Sequence, residues 1–341
     1  MNKRVGIQTV RLENKPKIIS TASIVGPKEG EGPLREYFDT ILQDDSNGED
    51  SYEKAEKSLL YSAITAAIKK ANLKEADINY LFSGDLLNQI ISSNYAARDM
   101  DIPFIGLYGA CSTMTESLGL ASMIIDGGFA NYAVASTSSH FSSAERQFRA
   151  PLEMGSQRPP SAQWTVTGSG AMVLGTEGNF PYVTYVTNGK VKDYGIKDAN
   201  NMGAAMAPAA VDTIKQHFKD TGRTADDYDI IATGDLGKIG KKITGELIKD
   251  YGYDIDKIYI DCGDEIYNSE KQGVNAGGSG CGCSAVVACG YIYKNLLSGN
   301  IKRALLISTG ALMSPTASFQ GESIPGIAHA VAIEFGGTKN E

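Results

Sequence analysis

An internal repeat constrains the fold of this chain more than any other feature of its sequence. Residues 77–86 read DINYLFSGDL and residues 227–236 read DYDIIATGDL. Both segments are short, apolar, β-rich runs that end in Gly-Asp-Leu, and each follows an amphipathic helical stretch. The glycines of the two motifs, Gly84 and Gly234, lie 150 positions apart. The chain is therefore predicted to contain the same helix-then-strand unit twice.

The repeat continues further along both halves. Residues 109–112 (GACS) precede a predicted helix, a glycine-containing break and a strand at 132–137, and residues 281–284 (CGCS) precede the same pattern with a strand at 304–309. Cys111 and Cys283 lie 172 positions apart. The larger offset indicates that about 22 residues rich in Tyr, Asp and Gly are inserted in the second half.

A duplicated βαβ-rich unit predicts an α/β fold in which two related mixed sheets pack around shared central helices. This is a five-layer αβαβα sandwich, with an N-terminal half at residues 1–175 and a C-terminal half at residues 176–341. A strand at 171–175 closes the first unit, and a strand at 182–188 begins the second. The alternative, two independent dinucleotide-binding domains, would need a G-x-G-x-x-G loop after the first strand, and the chain has none there.

Charge and composition exclude several classes of function. A net charge of −8 argues against a nucleic-acid partner. No apolar run approaches the roughly 18 residues of a spanning helix, so a soluble, unexported chain without a signal peptide is expected. The five cysteines are an odd number without the spacing of a secreted disulfide framework or a zinc finger. No EF-hand-like spacing is present either, so we expect neither a bound metal of the protein's own nor a cofactor.

Cys111 lies at a predicted strand-to-helix turn, between an apolar strand at 102–108 and a helix at 112–125. A helix N-terminus lowers the pKa of a thiol and offers free N–H groups to an anion. Cys111 and the adjacent Ser112 are therefore candidate ligand-binding residues. The alternatives are a small buried side chain for Cys111 and a helix cap for Ser112.

The segment 138–149 (SSHFSSAERQFR) is predicted to be a loop after a strand. It combines His140 with Arg146 and Arg149 beside aromatic residues, a composition suited to binding carboxylates. The alternative is a surface cluster of salt bridges. The other two histidines, His217 and His329, lie in an amphipathic helix and an apolar strand and are predicted to be structural.

At these residues the chain resembles the thiolase superfamily. The shared features are the duplicated halves, a Cys before a central helix and a small-residue stretch, here VNAGGSGCGCS at 274–284. This resemblance implies a site that includes Asn275 and Ser279. It also shows a departure, because the family's catalytic His falls on Ser279, and the His of the ketoacyl synthase III branch falls on about Gly234, beside Asp235.

A Claisen condensation needs a base and donors for the enolate oxygen, and the matching bases are absent from this sequence. We therefore expect a binding protein on an enzyme scaffold rather than an enzyme. One alternative is a thiolase- or ketoacyl-synthase-type acyltransferase with Cys111 as nucleophile and His140 or His329 as base. Another is a structural subunit with a vestigial pocket.

The chain also resembles a family of stage V sporulation proteins from spore-forming bacteria, in the segments GACSTMTESL, SSHFSSAERQFR, TGDLGKIG and GGSGCGCSAVV. The resemblance implies binding of dipicolinic acid, alone or with calcium, during loading of the developing spore. It implies membrane channel proteins of the same sporulation operon as partners, and a peripheral location on the cytoplasmic face of the inner spore membrane. A homodimer is expected from the thiolase resemblance. If calcium is bound with the ligand, Asp235 or Glu145 is expected to complete its coordination.

Overall fold

The computed structural model describes residues 3–148 and 158–336. Its strands are β1 Thr9–Arg11, β2 Lys17–Val25, β3 Thr40–Ile41, β4 Tyr80–Gly84, β5 Phe104–Gly106, β6 Ala133–Ser139, β7 Trp164–Thr165, β8 Gly168–Gly175, β9 Tyr182–Thr187, β10 Ile230–Thr233, β11 Tyr259–Asp261, β12 Gly278–Ser279, β13 Arg303–Ala311 and β14 Gly326–Glu334. Its helices are α1 Tyr52–Lys70, α2 Ile91–Arg98, α3 Thr113–Asp126, α4 Phe141–Phe148, α5 Met202–Thr221, α6 Gly237–Lys249, α7 Cys262–Glu265, α8 Ser269–Gln272, α9 Cys281–Val287, α10 Tyr293–Leu297 and α11 Pro315–Phe319. A π-helical turn, Ala288–Ile292, joins α9 to α10. None of the helices in 3–148 and 158–336 has the length and apolar character needed to span a membrane.

The strand order shows the duplication directly. One half-sheet runs β5-β4-β6-β8-β2 and the other runs β11-β10-β13-β14-β9. In each, the first three strands are mutually parallel and the fourth is antiparallel to the third. Among the described residues the two half-sheets are joined at the pair Lys17 and Tyr182. The predicted arrangement of two related mixed sheets is confirmed.

The central layer consists of α3 and α9, which contact strands of both half-sheets. Helices α1 and α2 cover the outer face of the first half-sheet, and α5 and α6 lie on the outer side of the second. Buried apolar residues fill each interface, with the largest cluster between the sheets and one under each outer layer. The predicted five-layer αβαβα sandwich is therefore confirmed. The division of the chain at residues 175 and 176 stays a prediction.

The sheets and central helices approach closely because glycines lie at the contacts. A Cβ on Gly170 of β8 would lie 2.6 Å from the carbonyl oxygen of Ala285 in α9. A Cβ on Gly282 of α9 would lie 2.4 Å from the carbonyl oxygen of Gly168. Each contact joins one backbone to another, so neither side can move aside as a flexible side chain would. The small-residue stretch at 274–284 thus has a packing role.

One local prediction was wrong. The segment 138–149 was expected to be a loop, but residues 141–148 form α4. The helix buries Ala144 and packs Ala144 and Phe148 against the cluster that contains Cys111. The spacing of Phe141, Ala144 and Phe148 places these three side chains near one helical face, and this periodicity was present in the sequence.

The contact between β8 and α9 predicts a large effect of one methyl group. We expect Gly170→Ala to lower the free energy of unfolding by about 1–3 kcal/mol, since the new Cβ meets backbone atoms. The matched control is Gly245→Ala in α6, where the nearest atom to a Cβ is the Asp256 Oδ1 at 3.3 Å. That change should be neutral or stabilising by about 0.5–1 kcal/mol, because alanine favours a helix. Equal effects of the two changes in urea unfolding would contradict this packing account.

Candidate functional site

The site is built around the turn that precedes α3. Ala110 has a left-handed backbone conformation, with φ of +49°, and Cys111 follows it with 6% of its surface exposed. Gly310 of β13 lies directly against this turn, and a Cβ there would lie 2.3 Å from the Gly109 carbonyl oxygen. Tight packing against the end of β13 therefore fixes the position of the Cys111 thiol.

Ser112 and Thr113 stabilise the turn itself. The Ser112 hydroxyl donates to the Gly109 carbonyl oxygen at 2.7 Å, and the Thr113 hydroxyl donates to the Ala110 carbonyl oxygen at 2.7 Å. Both side chains are fully buried. These bonds match the local capping role that was the alternative for Ser112, whose assignment as a ligand-binding residue stays a prediction.

The Asp235 carboxyl group faces Cys111 from the end of β10. One oxygen, Oδ1, accepts a hydrogen bond from the Thr309 hydroxyl at 2.7 Å. The other, Oδ2, accepts from the Ser279 hydroxyl at 3.0 Å and the Gly280 N–H at 3.1 Å. Asp235 also hydrogen-bonds to the Cys111 thiol. The carboxyl group is completely buried, so these donors replace its lost contact with water.

The electrostatic environment keeps the Cys111 thiol protonated. Burial raises the pKa of Cys111 well above its usual value, and the negative charge of Asp235 raises it further. Burial also raises the pKa of Asp235 to about 6, although its hydrogen bonds to Cys111, Thr309, Gly280 and Ser279 oppose this shift. The helix N-terminus was expected to lower the thiol pKa. Burial and the adjacent carboxyl group outweigh it.

A small pocket opens onto Cys111. Its volume is about 40 Å³, and its lining combines apolar side chains with a few polar groups: Leu86, Tyr108, Ala110, Cys111, Ala144, Glu145, Phe148, Thr165, Met202, Ser279, Ala311 and Met313. Within 3–148 and 158–336, no Lys, Arg or His belongs to this lining. The described wall is therefore apolar and acidic rather than cationic.

The two positions that correspond to family histidines have different roles here. Ser279 is 2% exposed and donates to Asp235. At Gly234, a Cβ would lie 2.9 Å from the Ser308 Cα and 3.0 Å from the Thr309 N. The adjoining strand leaves no room for an imidazole at Gly234 without a shift of the backbone.

All three histidines are engaged elsewhere. The His140 Nε2 lies 2.8 Å from the Asp45 carbonyl oxygen, while its Nδ1 accepts from the Ser142 N–H. His217 lies between Thr187 and Tyr228, and the His329 Nδ1 accepts from the Gly189 N–H. Burial lowers the pKa of His140, that of His217 to about 3 and that of His329 to about 4. Each imidazole is therefore neutral and hydrogen-bonded at pH 7, and the ligand-binding assignment of His140 stays a prediction.

The predicted arginine cluster does not converge on Cys111 in the described structure. Arg146 pairs with Glu53 and its side chain is 56% exposed, which agrees with the surface salt-bridge alternative. Arg149 lies outside the described residues. The Asn275 amide donates to the Pro159 carbonyl oxygen at 3.1 Å and so connects the small-residue stretch to residue 159. The ligand-binding assignments of Arg146, Arg149 and Asn275 stay predictions.

Sequence reasoning missed the arginine that does approach the pocket wall. Arg158 pairs with Glu145, a residue of the lining. Its guanidinium group lies 5.1 Å from the ring centre of Phe141 and 5.0 Å from that of Trp164. Those two rings stack on each other with centres 3.8 Å apart. Phe141 and Glu145 lie one turn apart on α4, but only the tertiary structure brings Arg158 and Trp164 to them, so no local sequence pattern could have identified the whole group.

A second buried acidic pair, also missed, lies close to the site. Glu56 accepts hydrogen bonds from the Ser143 hydroxyl at 2.6 Å and the Ser138 hydroxyl at 3.2 Å. Asp85 accepts from the backbone N–H groups of Leu87 and Ser93. Burial raises the pKa of Glu56 to about 8, with a contribution from Asp85, and that of Asp85 to about 6. The signal available in the sequence was the repeat, which aligns Asp85 with Asp235.

The raised pKa of Cys111 predicts a slowly reacting thiol. In the folded protein at pH 8, we expect iodoacetamide to alkylate Cys111 at least about tenfold more slowly than in the urea-unfolded chain. Peptide mass spectrometry separates Cys111 from the other four cysteines, which are also buried and free. Equal rates in the folded and unfolded chains would show that the thiol is accessible and ionised.

The buried Asp235 predicts a dependence of stability on pH. Its pKa is raised from 3.8 to about 6 because the protonated carboxyl group is favoured in the folded protein. The resulting contribution to the free energy of unfolding is fully present below pH 4 and is lost as the pH rises through 6. From pH 4 to pH 7 the free energy of unfolding should therefore fall less in Asp235→Asn than in the parent protein. The difference between the two falls should be on the order of 2 kcal/mol. Urea unfolding at several pH values measures the difference, with the exposed Asp101→Asn as control. Parallel curves for the parent and Asp235→Asn would contradict the shift.

Comparison with known proteins identifies the family. The family described as Stage V sporulation protein AD matches residues 6–334. The chain is 49% identical over 335 residues to Stage V sporulation protein AD of Bacillus subtilis (strain 168), covering 98% of this chain and 99% of that protein.

Solved structures show the fold. Cerulenin-bound OleA of Xanthomonas campestris matches with a TM-score of 0.59 and 13% identity, over 94% of this chain and 97% of its own. The 3-oxoacyl-[acyl-carrier-protein] synthase III of Aquifex aeolicus VF5 matches with a TM-score of 0.56 and 12% identity, over 94% of this chain and 100% of its own. The predicted thiolase-like fold is confirmed, and the chain belongs to the Stage V sporulation protein AD family.

Proposed function

We propose that this chain is a non-catalytic binding protein for dipicolinic acid, or its calcium chelate, in the uptake of dipicolinate into the developing bacterial spore. Membership of the sporulation family supports the biological context. We infer the lack of catalytic activity from one observation, the pairing of Cys111 with the Asp235 carboxyl group. The described lining of this pocket contains no imidazole.

Acyl transfer through Cys111 would need a thiolate and a group that accepts its proton. Burial and Asp235 both oppose the thiolate. Ser279 donates its hydroxyl hydrogen to Asp235, and the closely packed Gly234 provides no side chain. The described lining therefore offers no imidazole base, and the two carboxyl groups near the thiol are already engaged, Glu145 with Arg158 and Asp235 with Thr309 and Ser279.

The charge of the pocket favours the calcium chelate over the free dianion. Dipicolinate carries two carboxylates at pH 7, and the described lining offers Glu145, backed by Asp235, but no cation. Calcium offsets the ligand's charge and accepts further carboxylate oxygens. Glu145 is the residue best placed to provide one, and Arg158 behind it holds that carboxylate in position.

The size of the pocket requires movement on binding. A volume of about 40 Å³ holds only a few water molecules, which is too little for a pyridine ring with two carboxylates. Met202 and Met313 line the pocket, and unbranched methionine side chains repack easily around a ligand. We propose that the ring enters beside Cys111 as these side chains move apart.

The assembly is part of the same proposal. Association with membrane channel proteins of the same operon, at the cytoplasmic face of the inner forespore membrane, follows from the family resemblance. A homodimer is supported by the edge strand β5, where Ile105 is 39% exposed and Tyr108, just beyond the strand, is 47% exposed. An edge strand with exposed apolar side chains can extend a sheet into a second copy.

A thiolase-type acyltransferase is the second candidate. The observation that favours it is the retained Cys111 beside the strained Ala110, immediately before the central helix α3. A covalent acyl group on Cys111 after incubation with acetyl-CoA would distinguish it from the binding protein. A structural subunit with a vestigial pocket would bind neither compound.

Isothermal titration with dipicolinate, with and without calcium, tests the proposal. We expect saturable binding, stronger by at least about tenfold with calcium, because the described wall is acidic. Cys111→Trp should abolish the calcium-strengthened binding by filling the pocket, whereas Cys111→Ala should retain it. Cys289→Ala, at a buried cysteine outside the pocket lining, controls for general destabilisation.

Equal binding by the Cys111→Trp and Cys111→Ala variants would show that dipicolinate does not bind in this pocket. No binding of dipicolinate in any form, together with a stable acetyl adduct on Cys111, would favour the acyltransferase.

A further inference from the structure

A second concave site lies at the opposite end of the sandwich. It is a cleft of about 580 Å³, within the range of small-molecule pockets, where β1, β9 and β14 meet the start of β13. Arg303 begins β13 at this cleft, and Thr309, which bonds to Asp235, lies six residues further along the same strand. At 3.3 Å per residue, the cleft and the Cys111 pocket are about 20 Å apart.

Most acidic groups of the cleft already have partners. Glu334 pairs with Arg223 at 2.6 Å, and Asp227 pairs with Arg303 at 3.4 Å. The Asp229 carboxylate accepts the backbone N–H groups of residues 302 and 303, at 2.7 and 2.9 Å. These carboxylates are therefore committed to holding the walls of the cleft together.

The remaining charges have a positive excess. Arg11, Lys15 and Lys302 line the cleft, and none of them has an ion pair within 3–148 and 158–336. Asp226 and Asp229 are the lining carboxylates without an ion pair in the same ranges, and Asp229 is already bonded to two backbone N–H groups. Three cations against two carboxylates leave a local charge of about +1, in a chain whose net charge is −8. A small anion that interacts with all three unpaired basic side chains complements this surplus.

Aromatic faces hold two of the basic side chains over the cleft. The Lys15 Nζ lies 5.1 Å from the ring centre of Tyr182, and the Arg223 guanidinium carbon lies 4.7 Å from that of Tyr185. Arg223 is also bonded to Glu334 and has an 18% exposed side chain. A cation held over a ring loses less conformational freedom when an anion binds than a free surface lysine does.

We infer that this cleft binds a small polar dianion, independently of the Cys111 pocket. Two sources share that chemistry: a dicarboxylate, of which dipicolinate is the example that the proposed function supplies, and a phosphate monoester. The carboxylates or the phosphate group interact with Arg11, Lys15 and Lys302. The positive surplus excludes a neutral calcium chelate as the preferred ligand here, in contrast to the acidic Cys111 pocket.

The test uses the full chain with the Cys111→Trp change, which blocks the first pocket. Equilibrium dialysis measures binding of dipicolinate, glycerol 3-phosphate and the calcium chelate of dipicolinate. In this background the triple change Arg11→Gln, Lys15→Gln and Lys302→Gln should weaken dianion binding by at least about tenfold. The matched control is Lys69→Gln, Lys74→Gln and Lys242→Gln, at exposed lysines outside the cleft that remove the same total charge.

Binding of either dianion that is lost in the cleft variant, kept in the control and weakened by added salt supports the inference. Preference for dipicolinate or for the phosphate ester identifies the source. Binding that is equal in the cleft variant and the control, or absent from the Cys111→Trp protein, overturns the second site. Neither result affects the proposed function, which depends on binding that Cys111→Trp removes.

Discussion

The buried carboxyl group of Asp235 is the interaction on which the site depends. It accepts hydrogen bonds from two separate segments, from Thr309 at the end of β13 and from the adjacent Ser279 and Gly280, and it contacts the Cys111 thiol of a third. A carboxyl group that is fully removed from water is tolerated only with such partners. The turn before α3, the small-residue stretch and two strand ends are therefore held at one point, and the pocket is the space left beside it.

The duplication explains why the site is asymmetric. Asp85 and Asp235 occupy corresponding places after β4 and β10, yet Asp85 accepts backbone N–H groups only eight or fewer residues away, at Leu87 and Ser93. Asp235 instead collects donors from distant segments and faces Cys111. One copy of the Gly-Asp-Leu motif thus stabilises its own loop, while the other organises the pocket. The same physical group, a buried aspartate at a strand end, serves two purposes according to which donors surround it.

The fold was predictable because the repeat is visible in the sequence. Two glycines, two cysteines and two serine-containing strands recur at offsets that specify one insertion, and the strand order follows from them.

The candidate site was less predictable. The turn at Cys111 was found, but burial, which reverses the expected direction of the thiol pKa, depends on the tertiary packing around it. His140 and Arg146 were singled out by residue type, although the structure engages them with Asp45 and Glu53, which are distant in the sequence. Arg158 and Glu56 were missed because contacts between distant segments define their roles. Helix α4 was missed although its apolar spacing is visible in the sequence.

The most direct measurement is a crystal structure of the protein grown with calcium and dipicolinate. The account predicts density for the chelate beside Cys111, with the ring between Met202 and Met313, a calcium contact to Glu145, and an unmodified thiol. Density for the ligand away from Cys111 while this pocket stays closed, or a covalent acyl group on the Cys111 sulfur, would contradict the claim that an inactive condensing-enzyme pocket has become a dipicolinate site.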